Sequence, residues 1–230
     1  MLRPLLLASL AASALSADTA AFQLTTDPVL PDAAPLPPRF IGLSIEVGST
    51  PSVFNVGGLG GSPRRSLATL LNTLRTTAGD EQGPNIRVGG NSADESAWVP
   101  SGPLPVNTTY RITAADLAAY AAAVALWNGT ITLDTTLRYP DQATPLVTEH
   151  VKAALRALGQ GLEKVELGNE PDLFFENGIR SPSYFYPNYT LDYGKVFSSV
   201  VPLLPRAMVQ GATWCSERWA ADFPDYMARW

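Results

Sequence analysis

The chain has 230 residues, a formal net charge of −5, 46% hydrophobic residues and 16% charged ones. That balance suits a folded globular protein and excludes a disordered one, and the acidic excess offers no basic patch to a nucleic acid. A single histidine and a single cysteine exclude a structural Cys/His metal site by number alone, and Cys215 can form no internal disulfide.

The first residues read as a secretory signal. Arg3 supplies the positive end, Leu5 to Leu15 form an apolar stretch too short to span a bilayer well, and Ala14-Leu15-Ser16 fits a small-x-small cleavage site. Residues 1–17 are therefore expected to be a signal peptide, the alternative being a buried N-terminal helix. Residues 18–39, with Pro28, Pro31, Pro35, Pro37 and Pro38, read as an extended lead-in, and residues 40–230 as the domain itself. No later stretch is long and apolar enough for a membrane span, so a secreted, extracellular protein with no membrane partner is expected. The sequons at Asn107, Asn128 and Asn188 agree with export.

Phe40–Glu46 reads as a first buried strand. Ser62-Pro63 looks like a cap followed by proline in the first helical position, with Leu67, Leu70, Leu71 and Leu74 at helical spacing. Asn85–Gly90 is a second strand. Thr113, with Asp116 three residues on, caps an alanine-rich helix that runs to Trp127. Ile131–Leu137 is a third strand. Thr144-Pro145 opens a helix closed by Gly159, with Val147, Val151, Leu155 and Leu158 inward. Val165–Leu167, a helix over Leu191–Val201, and Ala207–Gly211 complete the series. The only histidine, His150, sits in a helical pattern, which leaves Cys215 without the partner a cysteine protease needs. Cys215 reads as a buried small hydrophobe.

Alternating β and α segments mark a parallel sheet with helical crossovers. The Gly57–Gly61 run lacks the lysine of a phosphate-binding loop, and no G-x-G-x-x-G follows the first strand, which favours a barrel over a nucleotide-binding doubly wound sheet. Strand starts near 41, 86, 131, 165 and 207 give repeats of roughly 35 to 45 residues. A closed eight-unit barrel takes about 250 residues or more. The expectation is an α/β chain of the (β/α)8 TIM-barrel type that is incomplete here, with about five of eight units.

Gly168-Asn169-Glu170-Pro171-Asp172 lies at the end of the fourth strand, where a parallel barrel projects its catalytic side chains. Retaining glycoside cleavage needs one carboxylic acid to protonate the leaving oxygen, and a second carboxylate about 5–5.5 Å away to attack the anomeric carbon. Glu170 suits the first role. The bland alternative is a helix-start carboxylate.

Asn169-Glu170-Pro171 on a fourth strand resembles the acid/base motif of the large clan of retaining (β/α)8 glycosidases. Together with Phe40-Ile41-Gly42-Leu43-Ser44-Ile45-Glu46 and Ile86-Arg87-Val88-Gly89-Gly90-Asn91-Ser92-Ala93-Asp94, it is similar to glycoside hydrolase family 79, the β-glucuronidase and heparanase-like family. The resemblance runs from about residue 22 to the end. It implies that Glu170 is the acid/base, that Asn169 binds the sugar 2-hydroxyl and that Glu46 holds sugar hydroxyls. It leaves Asn91 and Asp94 as substrate contacts, an asparagine turn or helix cap being equally open for them. Arg87 reads as a structural partner for a barrel carboxylate. Trp98, Trp214, Trp219 and Tyr193 are possible sugar platforms, with packing the better reading for each.

The family's nucleophile is a glutamate on the seventh strand, so it is expected to lie outside this chain, as is the family's C-terminal β-sandwich. The resemblance implies a secreted exo-acting β-glucuronidase that takes a glucuronide-bearing glycan without cofactor or metal, the isolated chain being inactive. The alternatives are an inactive carbohydrate-binding fragment or pseudoenzyme, a heparanase-like endo-β-glucuronidase, or another clan glycosidase. Having only three lysines (Lys152, Lys164, Lys195) counts against the heparanase-like case.

Overall fold

The computed structural model describes residues 41–78, 82–211 and 213–230. The signal peptide and the lead-in expected over residues 1–39 lie outside these.

Five strands form one parallel sheet: β1 (Leu43–Glu46), β2 (Asn85–Gly89), β3 (Thr130–Thr135), β4 (Leu162–Leu167) and β5 (Val209–Gln210). Their order in space is their order in the chain. Such a sheet has no reversal of strand order, the feature at which doubly wound folds bind ligands. Right-handed crossovers taken always in one direction send the intervening helices to one side. Those helices are α1 (Arg65–Ala78), α2 (Ala114–Trp127), α3 (Glu149–Leu158) and α4 (Tyr186–Val200). A fifth, α5 (Phe223–Arg229), follows β5.

The register sorts the sheet into two faces. Ile86, Val88, Ile131, Leu133, Val165 and Leu167 share one face, and all are buried in the main apolar core. Ser44, Arg87, Thr132, Asp134, Glu166 and Gln210 share the other. Parallel strands covered on both sides usually read as unbroken apolar runs. Here the second face is polar and its side chains bond to one another.

Local chemistry accounts for the element ends. Thr113 Oγ1 accepts the Ala115 amide at 3.2 Å, and Asp116 Oδ2 accepts the Thr113 amide at 2.8 Å, closing the expected cap on α2. Gly159 ends α3 with φ +53°, as expected. The two sides of Trp127 are also fixed: its indole nitrogen donates to Pro84 O at 3.0 Å, and a Cβ at Gly129 would collide with the ring.

Several expectations are corrected. Ser62-Pro63 does not start a helix. It pairs antiparallel with Asn55–Val56 around the glycine run, and α1 begins at Arg65. Arg64 secures this hairpin by donating to Ser52 O at 2.7 Å and Asn55 O at 3.1 Å. Leu70 points outward because the inward stripe of α1 passes through Ala68 and Leu71. Thr144–Thr148 forms a wider π turn before α3, while α4 starts at Tyr186, not Leu191, which is exposed. The fifth strand shrinks to two residues, since Arg206–Met208 coils into a 3-10 turn. Cys215 is exposed, not buried; its neighbour Trp214 is the residue that packs, among Tyr186, Tyr189 and Trp219. A small parallel pair, Ser96–Trp98 with Tyr110–Ile112, was not foreseen.

Candidate active site

Glu46, Asn91, Asp94, Asn169 and Glu170 all leave the sheet at the carboxyl ends of β1, β2 and β4, so a single rim carries them. Glu46 is exposed and its Oε2 accepts the Ser92 amide at 2.9 Å and the Ser92 hydroxyl at 2.5 Å. A Cβ on Gly90 would collide with the Glu46 carboxylate, and Gly90 has φ +81°. Only glycine meets both demands, so Gly90 makes room for Glu46, while Gly89 makes room for Arg87 and Asp134.

Asn169 is buried, and its amide is held from two sides. Nδ2 donates to Asn91 Oδ1 at 2.8 Å, and Oδ1 accepts Arg87 Nη2 at 2.9 Å. Arg87 in turn reaches Asp134 at 3.4 Å and Glu166 through Nε at 2.9 Å and through Nη2. Gln210 Nε2 donates to the other oxygen of Glu166 at 2.9 Å. Arg87 is therefore the structural partner expected of it. One guanidinium stands between two carboxylates that have no exposed side-chain surface. Burial, with the charge of Glu166 next, pushes the Asp134 carboxyl well above its ordinary range.

Asp94, expected as a substrate contact, is held by its surroundings. It is 1% exposed. Oδ1 accepts the Leu137 amide at 2.6 Å and the Thr136 hydroxyl at 3.3 Å, while Oδ2 accepts the Asn169 amide at 2.9 Å. Its oxygens are spent on the loops after β3 and β4. Burial pushes its carboxyl up to about 6, against the pull of those two amides. Asn91 is exposed at the mouth of a small cleft of about 150 Å³ that it shares with Asp94, Glu95, Asn169, Asn177 and Ile179.

Glu170 is half-buried and stands in the left-handed backbone region at φ +49°, directly before a 3-10 turn over Pro171–Leu173. Its amide donates to Thr213 O at 2.8 Å, beside an isolated parallel bridge between Asn169 and Thr213. Cys215 lies against its carboxylate. The charge of Glu170 is the foremost cause that raises the thiol pKa above its ordinary value. Nothing in composition or spacing pointed to Cys215 as a neighbour of Glu170. The contact depends on where the coil after β5 turns.

Trp98, Trp219 and Tyr193 are buried, and His150 stacks on Trp98 at 5.5 Å between ring centres, so these rings pack. Asn107, Asn128 and Asn188 are exposed. Among the described residues no group of three or more His, Cys, Asp or Glu could hold a metal ion, and no helix is long and apolar enough to cross a membrane.

No family model matches the chain, and no curated protein does. Among solved structures, the chain is similar to the crystal structure of a 4-O-α-L-rhamnosyl-β-D-glucuronidase from Fusarium oxysporum 12S, a Rha-GlcA complex, at 22% identity and a TM-score of 0.45. The match covers 58% of this chain and 28% of that one, so the chain spans under a third of its length.

Proposed function

We propose that the chain is the acid/base-bearing part of a retaining glycoside hydrolase of the (β/α)8 type, acting on terminal β-glucuronides outside the cell. The observation that supports this reading most is the placement of Glu170. It sits at the carboxyl end of a strand in a sequentially ordered parallel sheet, beside Asn169 and on the rim that also presents Glu46. In such a sheet that rim carries the chemistry.

In this mechanism Glu170 first gives its proton to the leaving glycosidic oxygen, and then takes one from the water that releases the sugar from the enzyme. The nucleophile is assigned to a later strand, outside this chain. Glu46 and Asn91, both exposed on the rim, are assigned to sugar hydroxyls. Asn169 is assigned to the 2-hydroxyl, with Arg87 and Asn91 setting the plane of its amide. Glucuronate as the sugar rests on the motif resemblance, and export rests on the N-terminal signal pattern and the three sequons.

The test is hydrolysis of an aryl β-glucuronide by the polypeptide that completes the barrel. Glu170→Gln is expected to lower turnover by about 10²–10⁴-fold, the usual contribution of general acid–base catalysis. The matching β-glucoside is expected to be cleaved far more slowly. Equal rates on the two sugars would remove the uronate, and full activity of the Gln variant would remove Glu170. The 230-residue chain alone is expected to bind glycan without turning it over.

A further inference from the structure

Glu170 occupies the left-handed backbone region, which is unfavourable for a non-glycine residue, so its surroundings must hold it there. The ladder of β4 does not do so. Gly168, at φ +83°, has already taken the chain out of the strand. The next segment Glu170 leans on, Thr213 to Ser216, lies beyond the two residues of β5 and belongs to no strand either. Two irregular segments thus support each other, and some third group must fix the pair.

Asp172 is that group. It is 1% exposed and follows Glu170 by two residues. Its carboxylate accepts the Cys215 amide at 3.1 and 3.2 Å, the Ser216 amide at 2.7 Å and the Ser216 hydroxyl at 2.6 Å. Its carbonyl accepts Arg218 Nη1 at 3.1 Å, and Arg218 is itself paired with Glu176. The Glu170 amide donates to Thr213 O, and the Cys215 and Ser216 amides donate back to Asp172. The result is a closed loop of hydrogen bonds with Glu170 inside it. Charge-assisted bonds of this kind are stronger than neutral ones, and a buried acceptor is costly to lose.

We propose that Asp172 is a positioning residue for Glu170: it clamps the Thr213–Ser216 segment against the acid/base and so fixes where that carboxyl points. The purpose of the clamp rests on the reading of Glu170 given above, while the clamp itself can be tested without turnover. An acid that must meet one leaving oxygen has reason to be held this way, since a displacement of about 1 Å can cost on the order of 10²-fold in rate.

Cys215 is the only cysteine in the chain, so its thiol reports on this one place. Glu170 and Asp172 are the carboxylates that raise its pKa, Glu170 foremost. The thiolate is the reactive form. The experiment follows alkylation of the whole folded chain by iodoacetamide, an uncharged reagent, across pH in four proteins: unsubstituted, Glu170→Gln, Asp172→Asn and the double variant. Glu170→Gln is expected to lower the thiol's apparent pKa and speed alkylation several-fold at neutral pH. Asp172→Asn is expected to do nearly the same, because the loosened segment carries Cys215 away from Glu170. In the Glu170→Gln background it should add only the small effect of its own lost charge. An equal shift in both backgrounds, or none in the first, overturns the clamp.

If near-ultraviolet circular dichroism shows Asp172→Asn unfolded, Ser216→Ala removes one donor and is judged by the same criterion. If the thiol coupling holds while the completed enzyme keeps full activity without Glu170, the catalytic reading falls and the clamp stands.

Discussion

The two faces of the sheet are built on different physics. On the face carrying Val88, Leu133 and Val165, stability comes from apolar surface removed from water, which is non-directional and forgiving of swaps that keep volume. On the other face one guanidinium, Arg87, bonds to Asp134, Glu166 and Asn169, and each partner's position depends on the others. The first face makes the fold, and the second connects the fold to Asn169 and through it to the rim. The contrast teaches that a deletion on the polar face should cost more than its contact area suggests, and should depend on pH, whereas a deletion on the apolar face should not.

Arg87→Met is the largest expected break. Removing one partner of a buried ion pair costs about 3–5 kcal/mol, because the partner charge stays behind. The sign of its pH dependence follows from Asp134, whose folded pKa lies well above its unfolded one, by burial first and Glu166 second. The stability such a group contributes is present below the unfolded pKa and lost as pH rises through the folded one. Without Arg87 the folded value rises further, so the deficit of the variant should grow from pH 4 to pH 8 in denaturant titrations. A deficit equal at both ends would break the comparison.

Leu133→Ala sharpens it from the other side. This fully buried side chain should cost about 2–5 kcal/mol through lost transfer energy and a cavity, and by the same amount at both pH values.

His150 gives a smaller effect of opposite sign. It is buried, and burial lowers its pKa to about 4. The stability it contributes is present above the unfolded value of about 6.5 and is lost as pH falls toward 4, by roughly 3 kcal/mol at most. His150→Phe should therefore lose less stability than the unsubstituted protein between pH 6.5 and 4, by thermal melts in matched buffers. Parallel melting curves would show that the ring is solvated at some point in the native state.

Much of the apolar face could be read in advance. Runs such as Ile131-Thr132-Leu133 and Val165-Glu166-Leu167 announce strands, and Thr113 with Asp116 announces a helix start, because each signal is carried by residues close in the chain. Arg87 could be read as a partner for a carboxylate because a charge inside a strand needs one. The polar rim was legible in its members but not in its bonds. Asp94 reaches Asn169 across 75 residues, and Asp172 reaches Cys215 across 43, through loops with no periodic pattern. The misplaced Cys215 and the unforeseen pair Ser96–Trp98 with Tyr110–Ile112 fail for the same reason: three-residue strands and single turns hold too few residues for a period to show.

The carboxylate of Asp94 has a consequence for how the rim moves. The amides of Leu137 and Asn169 belong to loops, where backbone hydrogens ordinarily trade with solvent early. Here both donate to an acceptor that water does not reach. Neither hydrogen can leave without opening the packing around Asp94, which closes the 3-10 turn just after β2. The loop that carries Glu170 is then no separately melting flap. It is expected to open only with the packing around Asp94, so that, on the function proposed above, a sugar arriving at the rim would meet a surface already assembled and not one it must organise.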